Sequence, residues 1–232
     1  MCMKIKAFTL AEVLITLGII GIVAALTMPT LINSTHGKEL DAALKKAYSI
    51  LQQAIQRMTF EEGLEITWDN YPNNTFAPVF KKYIRQLGAC GQKDCMSADI
   101  ASENGPVFNK VSKYRTYNKK DYVTLEWFNE GQAFLTDGMF IMINNSDNRA
   151  LGIVISVDVN GINKGPNIWG HDLFSFEVNN DRVIPIGSPQ STLTPGSSWN
   201  GFECSLTSSE RNNGMGCTYR ALTEKDYFKN LP

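Results

Sequence analysis

The chain has 232 residues, with 22 lysines and arginines against 23 aspartates and glutamates. That balance offers no basic excess for non-specific nucleic-acid binding. His36 and His171 are the only histidines, and no His-Glu-x-x-His, Gly-x-Ser-x-Gly or phosphate-cradling glycine loop occurs, so the sequence reads as non-enzymatic.

The first seven residues, Met1 to Ala7, are short and basic through Lys4 and Lys6, which predicts a cytoplasmic start. From residue 8 to residue 32 there are 25 residues with one charge, Glu12, enough to cross ~30 Å of hydrocarbon as a helix. An unpaired carboxylate in hydrocarbon costs roughly 2.5–3.5 kcal/mol, so Glu12 needs a partner. Cleavage between Ala7 and Phe8 would create an α-amine at Phe8, able to neutralise the Glu12 of a neighbouring copy. Methylating that amine would keep its charge. Gly18, Gly21, Ala24 and Ala25 would let helices approach closely, and Pro29 should kink or loosen the end of the span.

Two plainer explanations compete. A secretory signal peptide also has a basic start, an apolar core and a small-residue cleavage site. Here the apolar run is long, Glu12 interrupts it, and residues 33–37 lack an Ala-x-Ala pattern. A simple membrane anchor explains the length but not Glu12 beside Phe8-Thr9-Leu10-Ala11. That segment resembles the type IV pilin and type II secretion pseudopilin family, strongly over about the first 60 residues. The resemblance implies cutting by a prepilin peptidase before Phe8, N-methylation of Phe8, and Glu12 as the assembly residue. It also implies a single-pass protein of the bacterial inner membrane, with its head periplasmic or extracellular and then in a filament. The implied partners are other pilins or pseudopilins and an assembly platform.

Beyond Pro29, Leu40, Ala43, Leu44, Ala47, Leu51, Ala54, Ile55 and Met58 form one apolar stripe at spacings of three and four. Residues 8–59 thus predict one helix of ~50 residues, ~75 Å long, whose second half needs a covering layer. The expected divisions are a leader (1–7), a span (8–32), an amphipathic half-helix (33–60) and a head (61–232). Within the head, Phe76, Val79, Phe80, Tyr83, Ile84 and Leu87 predict a second helix capped by Gly88. Strands are expected at 122–128, 132–135, 139–143, 152–159, 173–178 and 182–186. Thr136-Asp137-Gly138 and Asn179-Asn180-Asp181 are hairpin signals between them. The pattern predicts an α+β fold, a long helix on an antiparallel sheet, which is also what the resemblance implies.

Removing Cys2 with the leader leaves Cys90, Cys95, Cys204 and Cys217. Outside the cytoplasm an even number favours disulfides, with Cys90–Cys95 and Cys204–Cys217 the first choice of three connectivities. A four-thiolate zinc site is the rival, although the spacings lack paired Cys-x-x-Cys knuckles. The 204–217 stretch is similar to the disulfide-closed C-terminal loop of many pilins. The run from Asp158 through Asn160, Gly161 and Asn167 to Asp172 alternates oxygen side chains with glycines. Calcium is bound near the sheet in some major pseudopilins, making Asp158, Asn160 and Asp172 candidate ligands. The EF-hand pattern fails at Ile162 and no glutamate closes the loop, so a structured turn without any cofactor is preferred. Two functions remain open: a structural, minor filament subunit, or a membrane-tethered or tip-displayed ligand-binding module.

Overall fold

In the computed structural model, residues 9–90, 95, 100–101, 110–145, 152–193 and 201–232 are described, with backbone alone at 29–34, 89–90, 100–101 and 110. The leader, Cys2, Ala7 and Phe8 lie outside the described residues. The apolar run and the amphipathic stripe fall in a single helix, α1 (Leu10–Glu62). The helix continues through Pro29, so the expected loosening there takes no residue out of it. The chain divides into two units, Met1–Glu39 and Leu40–Pro232.

In the first unit the large apolar side chains of Leu10, Leu14, Ile15, Leu17, Ile20 and Leu26 are exposed. A stretch of 19 residues, Leu10–Met28, is long and apolar enough to cross a membrane. Its hydroxyls return to the helix: Thr16 Oγ1 donates to the Val13 carbonyl at 2.9 Å, and Thr27 Oγ1 to that of Val23 at 2.8 Å. Such internal bonding is what hydrocarbon requires of polar groups.

The second unit is organised by an antiparallel sheet in the order β1-β5-β6-β7-β8-β9. Its strands are β1 (Gln86–Cys90), β5 (Gly131–Leu135), β6 (Phe140–Asn144), β7 (Ile153–Asp158), β8 (Leu173–Asn179) and β9 (Arg182–Pro185). A second sheet runs β2 (Ile100–Ala101), β3 (Lys110–Arg115), β4 (Tyr122–Thr124). Side chains alternate across the large sheet. Ile141, Ile143, Ile155, Val157, Phe174 and Phe176 face Leu44, Leu51, Ile55 and Met58 of α1 in one core. Phe140, Met142, Val154 and Leu173 face Tyr114, Trp127, Phe128, Trp169 and Phe202 in another. With both faces covered, central strands read as nearly continuous apolar runs.

Three polar and aromatic contacts fix α1 on the sheet. Tyr48 stacks on Phe176 with ring centroids 5.7 Å apart. Lys46 pairs with Asp137 of the β5–β6 turn at 2.9 Å. The Gln52 amide donates to the Asp181 carbonyl at 2.7 Å and accepts the Val183 N–H at 3.0 Å. It thereby occupies the outer edge of β9, where exposed strand groups would otherwise invite another chain.

Two expectations change in the structure. The second helix is only α2 (Phe76–Phe80), and residues 86–90 form β1 against β5. A helix this short gains little by propagation, whereas pairing gives β5 a ladder partner on that side. The expected strand 122–128 bends after Thr124 into a 3-10 turn, Leu125–Trp127, which buries Leu125 and Trp127 in the second core. Strands β2 and β3 and helix α3 (Cys217–Thr223) had no clear period in the sequence.

Candidate functional site

The residues singled out in the sequence fall in separate places. At the start of α1, Thr9 and Glu12 answer each other. The Thr9 N–H and Oγ1 both donate to Glu12 Oε2 at 2.8 Å, and the Glu12 N–H donates to Thr9 Oγ1 at 3.2 Å. This is a capping box, in which the fourth residue's carboxylate reaches back to the cap residue. The Thr-x-x-Glu spacing was present in Thr9-Leu10-Ala11-Glu12 but escaped the sequence reading, which weighed Glu12 only as a lone charge. The carboxylate thus starts the helix within its own chain, and one of its oxygens is already engaged.

A second polar centre closes the β7–β8 connection. Asp158, the last residue of β7, is fully buried. It accepts from the Gly161 N–H at 2.8 Å, the Asn160 N–H at 3.3 Å and the Tyr114 hydroxyl of β3 at 2.8 Å. Asp172, also fully buried, accepts from the Asn167 N–H at 2.8 Å and the Ile168 N–H at 2.7 Å. Gly161 has φ +89°, and a β-carbon there would fall 2.3 Å from the Gly138 carbonyl oxygen, so only glycine fits. The loop carries Ile168 and Trp169 to the small sheet: Arg115 N–H donates to Asn167 and Trp169 N–H donates to Arg115, each at 3.0 Å.

Burial, then the charge of Asp172, pushes the Asp158 carboxyl up to about 7, against its hydrogen-bond donors. Burial pushes Asp172 up to about 6. His171 beside them is driven the other way, down to about 4, by burial and the Lys119 charge. Its ring meets Tyr117 edge-on at 5.5 Å. Among the described residues no three of His, Cys, Asp and Glu converge as a metal-binding group. Asp172 spends both oxygens on backbone N–H groups of the loop, whereas Asp158 gives Oδ1 to the loop backbone and Oδ2 to the Tyr114 hydroxyl. Asn160 and Asn167 brace the loop through their amide nitrogens, donating to the Gly165 and Ile162 carbonyls at 3.1 Å, while their buried Oδ1 atoms accept no hydrogen bond from the described residues.

A disulfide joins Cys204 and Cys217, with Cα atoms 4.8 Å apart. Cys95 is disulfide-bonded as well, while the Cys90 side chain lies outside the described residues. A groove of about 740 Å³ runs between α1 and β9, past Lys45, Tyr48, Gln52, Arg182 and Tyr219. None of the loop carboxylates lines it, so groove and polar centre are unrelated features of the head.

No curated protein and no solved structure matches the chain. Residues 2–28 match the family model of the prokaryotic N-terminal methylation motif, so this chain carries the prepilin signal of type IV pilins and pseudopilins.

Proposed function

We propose that this protein is a structural, minor subunit of a type IV pilus or type II secretion-type filament, cut between Ala7 and Phe8 and assembled through α1. The observation that carries this reading is the methylation motif at residues 2–28 leading into an exposed apolar helix with one carboxylate, Glu12. The motif implies processing by a prepilin peptidase and assembly with other pilins. In the membrane the apolar stretch holds the subunit, and in the filament the same surface packs against neighbouring helices. The Phe8 amine of one subunit then pairs with Glu12 of the next. The head has the character of a structural part: Asp158 and Asp172 are committed to closing a loop, not aimed into a cleft.

Mass spectrometry of the N-terminal peptide from native membranes tests this reading. The expected mature start is N-methyl-Phe8. A start beyond Ile32 would mean an ordinary signal peptide, and an intact Met1 a simple anchor; either overturns the proposal. We read the Asp158–Asp172 loop as a metal-free turn, because the carboxylate oxygens of Asp158 and Asp172 already accept hydrogen bonds from the loop backbone and from the Tyr114 hydroxyl. Thermal melts with calcium and with chelator should coincide, and a shift of several degrees abolished by Asp158→Ala would reverse that assignment.

A further inference from the structure

The Cys204–Cys217 disulfide joins two sulfurs in unlike surroundings. Cys217 opens α3 and is fully buried, so close to Gly170 that a β-carbon there would fall 2.8 Å from its sulfur. Cys204 is half-buried, and its sulfur lies 3.6 Å from Nη1 of Arg220. Glu224 grips the same guanidinium at 2.7 Å through Nε and 3.2 Å through Nη2. Glu224 offsets part of the positive charge but fixes its direction, leaving Nη1 to the Cys204 sulfur and carbonyl. The thiolate is the reactive form of cysteine; a neighbouring cation favours it and apolar burial opposes it.

We propose that Cys204 is a thiol-exchange site, the position that forms the mixed disulfide with a small-molecule or protein disulfide of the glutathione class, and that Cys217 is the buried resolving thiol. In the oxidising direction the Cys204 thiolate attacks one sulfur of RS–SR, forming Cys204–S–S–R and releasing RS⁻. Cys217 then loses its proton, attacks the Cys204 sulfur and expels the second RS⁻. Two protein thiols give up two electrons and two protons, and RS–SR becomes two RSH. In the reducing direction an incoming thiolate reaches Cys204 and must expel Cys217 as a thiolate inside the core. A poor leaving group slows that step, so the bond reopens slowly.

The test uses full-length Cys217→Ser and Cys204→Ser chains in detergent, each given oxidised glutathione at pH 7, folded and in guanidinium. Adducts are read on tryptic peptides 183–211, holding Cys204, and 212–220, holding Cys217. Folded Cys204 should react about tenfold or more faster than folded Cys217, with similar rates once denatured. Adding Arg220→Met to the Cys217→Ser chain should slow Cys204 several-fold. Equal folded rates, a faster Cys217, or indifference to Arg220→Met overturns the proposal. Where a variant's folded and denatured rates coincide because it has not folded, wild-type chain with limiting reduced glutathione decides. An adduct on 183–211 then supports the assignment, and one on 212–220 overturns it.

Discussion

Asp158, Asp172 and His171 set an unusual pH dependence for the head, and its sign can be worked out group by group. A carboxyl whose folded pKa is raised binds its proton more tightly when folded, so its contribution is present at low pH and fades as pH rises through that pKa. Asp158 therefore loses stability between about pH 4 and 7, and Asp172 between about 4 and 6. His171, held down to about 4, works against them, since below about 6.5 the unfolded chain takes up a proton that the folded one refuses. At about 1.4 kcal/mol per unit, going from pH 8 to pH 5 gains ~4 kcal/mol from the two carboxyls and loses ~2 from the histidine. The head should thus be about 2 kcal/mol more stable at pH 5 than at pH 8, a melting shift of roughly 4–8 °C at this size. Asp158→Asn removes the larger contribution. Its amide oxygen can still accept from Gly161 and its amide nitrogen can donate to the Tyr114 oxygen, so the loop keeps its closures. The variant should lose most of the pH slope and exceed the wild type in stability at pH 8. Melts of both chains in detergent from pH 5 to 8 make the comparison. A wild type that gains stability with rising pH, or a variant with an unchanged slope, refutes the reasoning.

Other consequences are simpler. Leu51→Ala, at a position only 1% exposed between α1 and the sheet, should cost about 2–5 kcal/mol, read as a drop in melting temperature. Gly161→Ala must either move the Gly138 carbonyl or give up φ +89°, so a loss of about 1–3 kcal/mol is expected, and an unchanged melt would show that the turn relaxes freely. Glu12→Ala should insert into membranes as well as wild type but be missing from purified filaments of cells lacking the native chain; wild-type levels there would remove its proposed assembly role. Gln52→Leu should leave the head folded yet prone to concentration-dependent association through the bared β9 edge, measured by light scattering.

What the sequence made legible was whatever repeats along it. The stripe from Leu40 to Met58 has the helical period because one face of α1 meets the sheet. The hairpin signals at 136–138 and 179–181 sit at real turns, since left-handed backbone at Gly138 and Asn180 demands particular residues. Tertiary pairing decided the rest. Tyr83, Ile84 and Leu87 continue the helical spacing of α2, yet the helix stops at Phe80 and β5 offers a ladder that residues 86–90 take as β1. Asp158 looked like part of a local oxygen-rich motif, but Tyr114, a strong partner, comes from 44 residues earlier. The unequal sulfurs of the disulfide were equally hidden, because Arg220 lies beyond Cys217 and reaches back 16 residues to Cys204.

The Thr9–Glu12 box changes how the charge in the apolar segment should be understood. A carboxylate carried into hydrocarbon alone would cost roughly 2.5–3.5 kcal/mol, and that cost was the reason to expect a partner in another subunit. The structure supplies a partner within the chain: two Thr9 donors converge on Oε2. A subunit waiting in the membrane therefore need not hold Glu12 bare. In the proposed assembly, pairing with the Phe8 amine then becomes an exchange of partners, in which the gain is the difference between a full ionic pairing and two hydrogen bonds. That difference is smaller than the cost of a naked charge. The box separates two roles that a single Glu12 substitution confounds. Thr9→Val removes the hydroxyl but keeps the carboxylate, so it weakens the helix start while leaving the charge available to a neighbour.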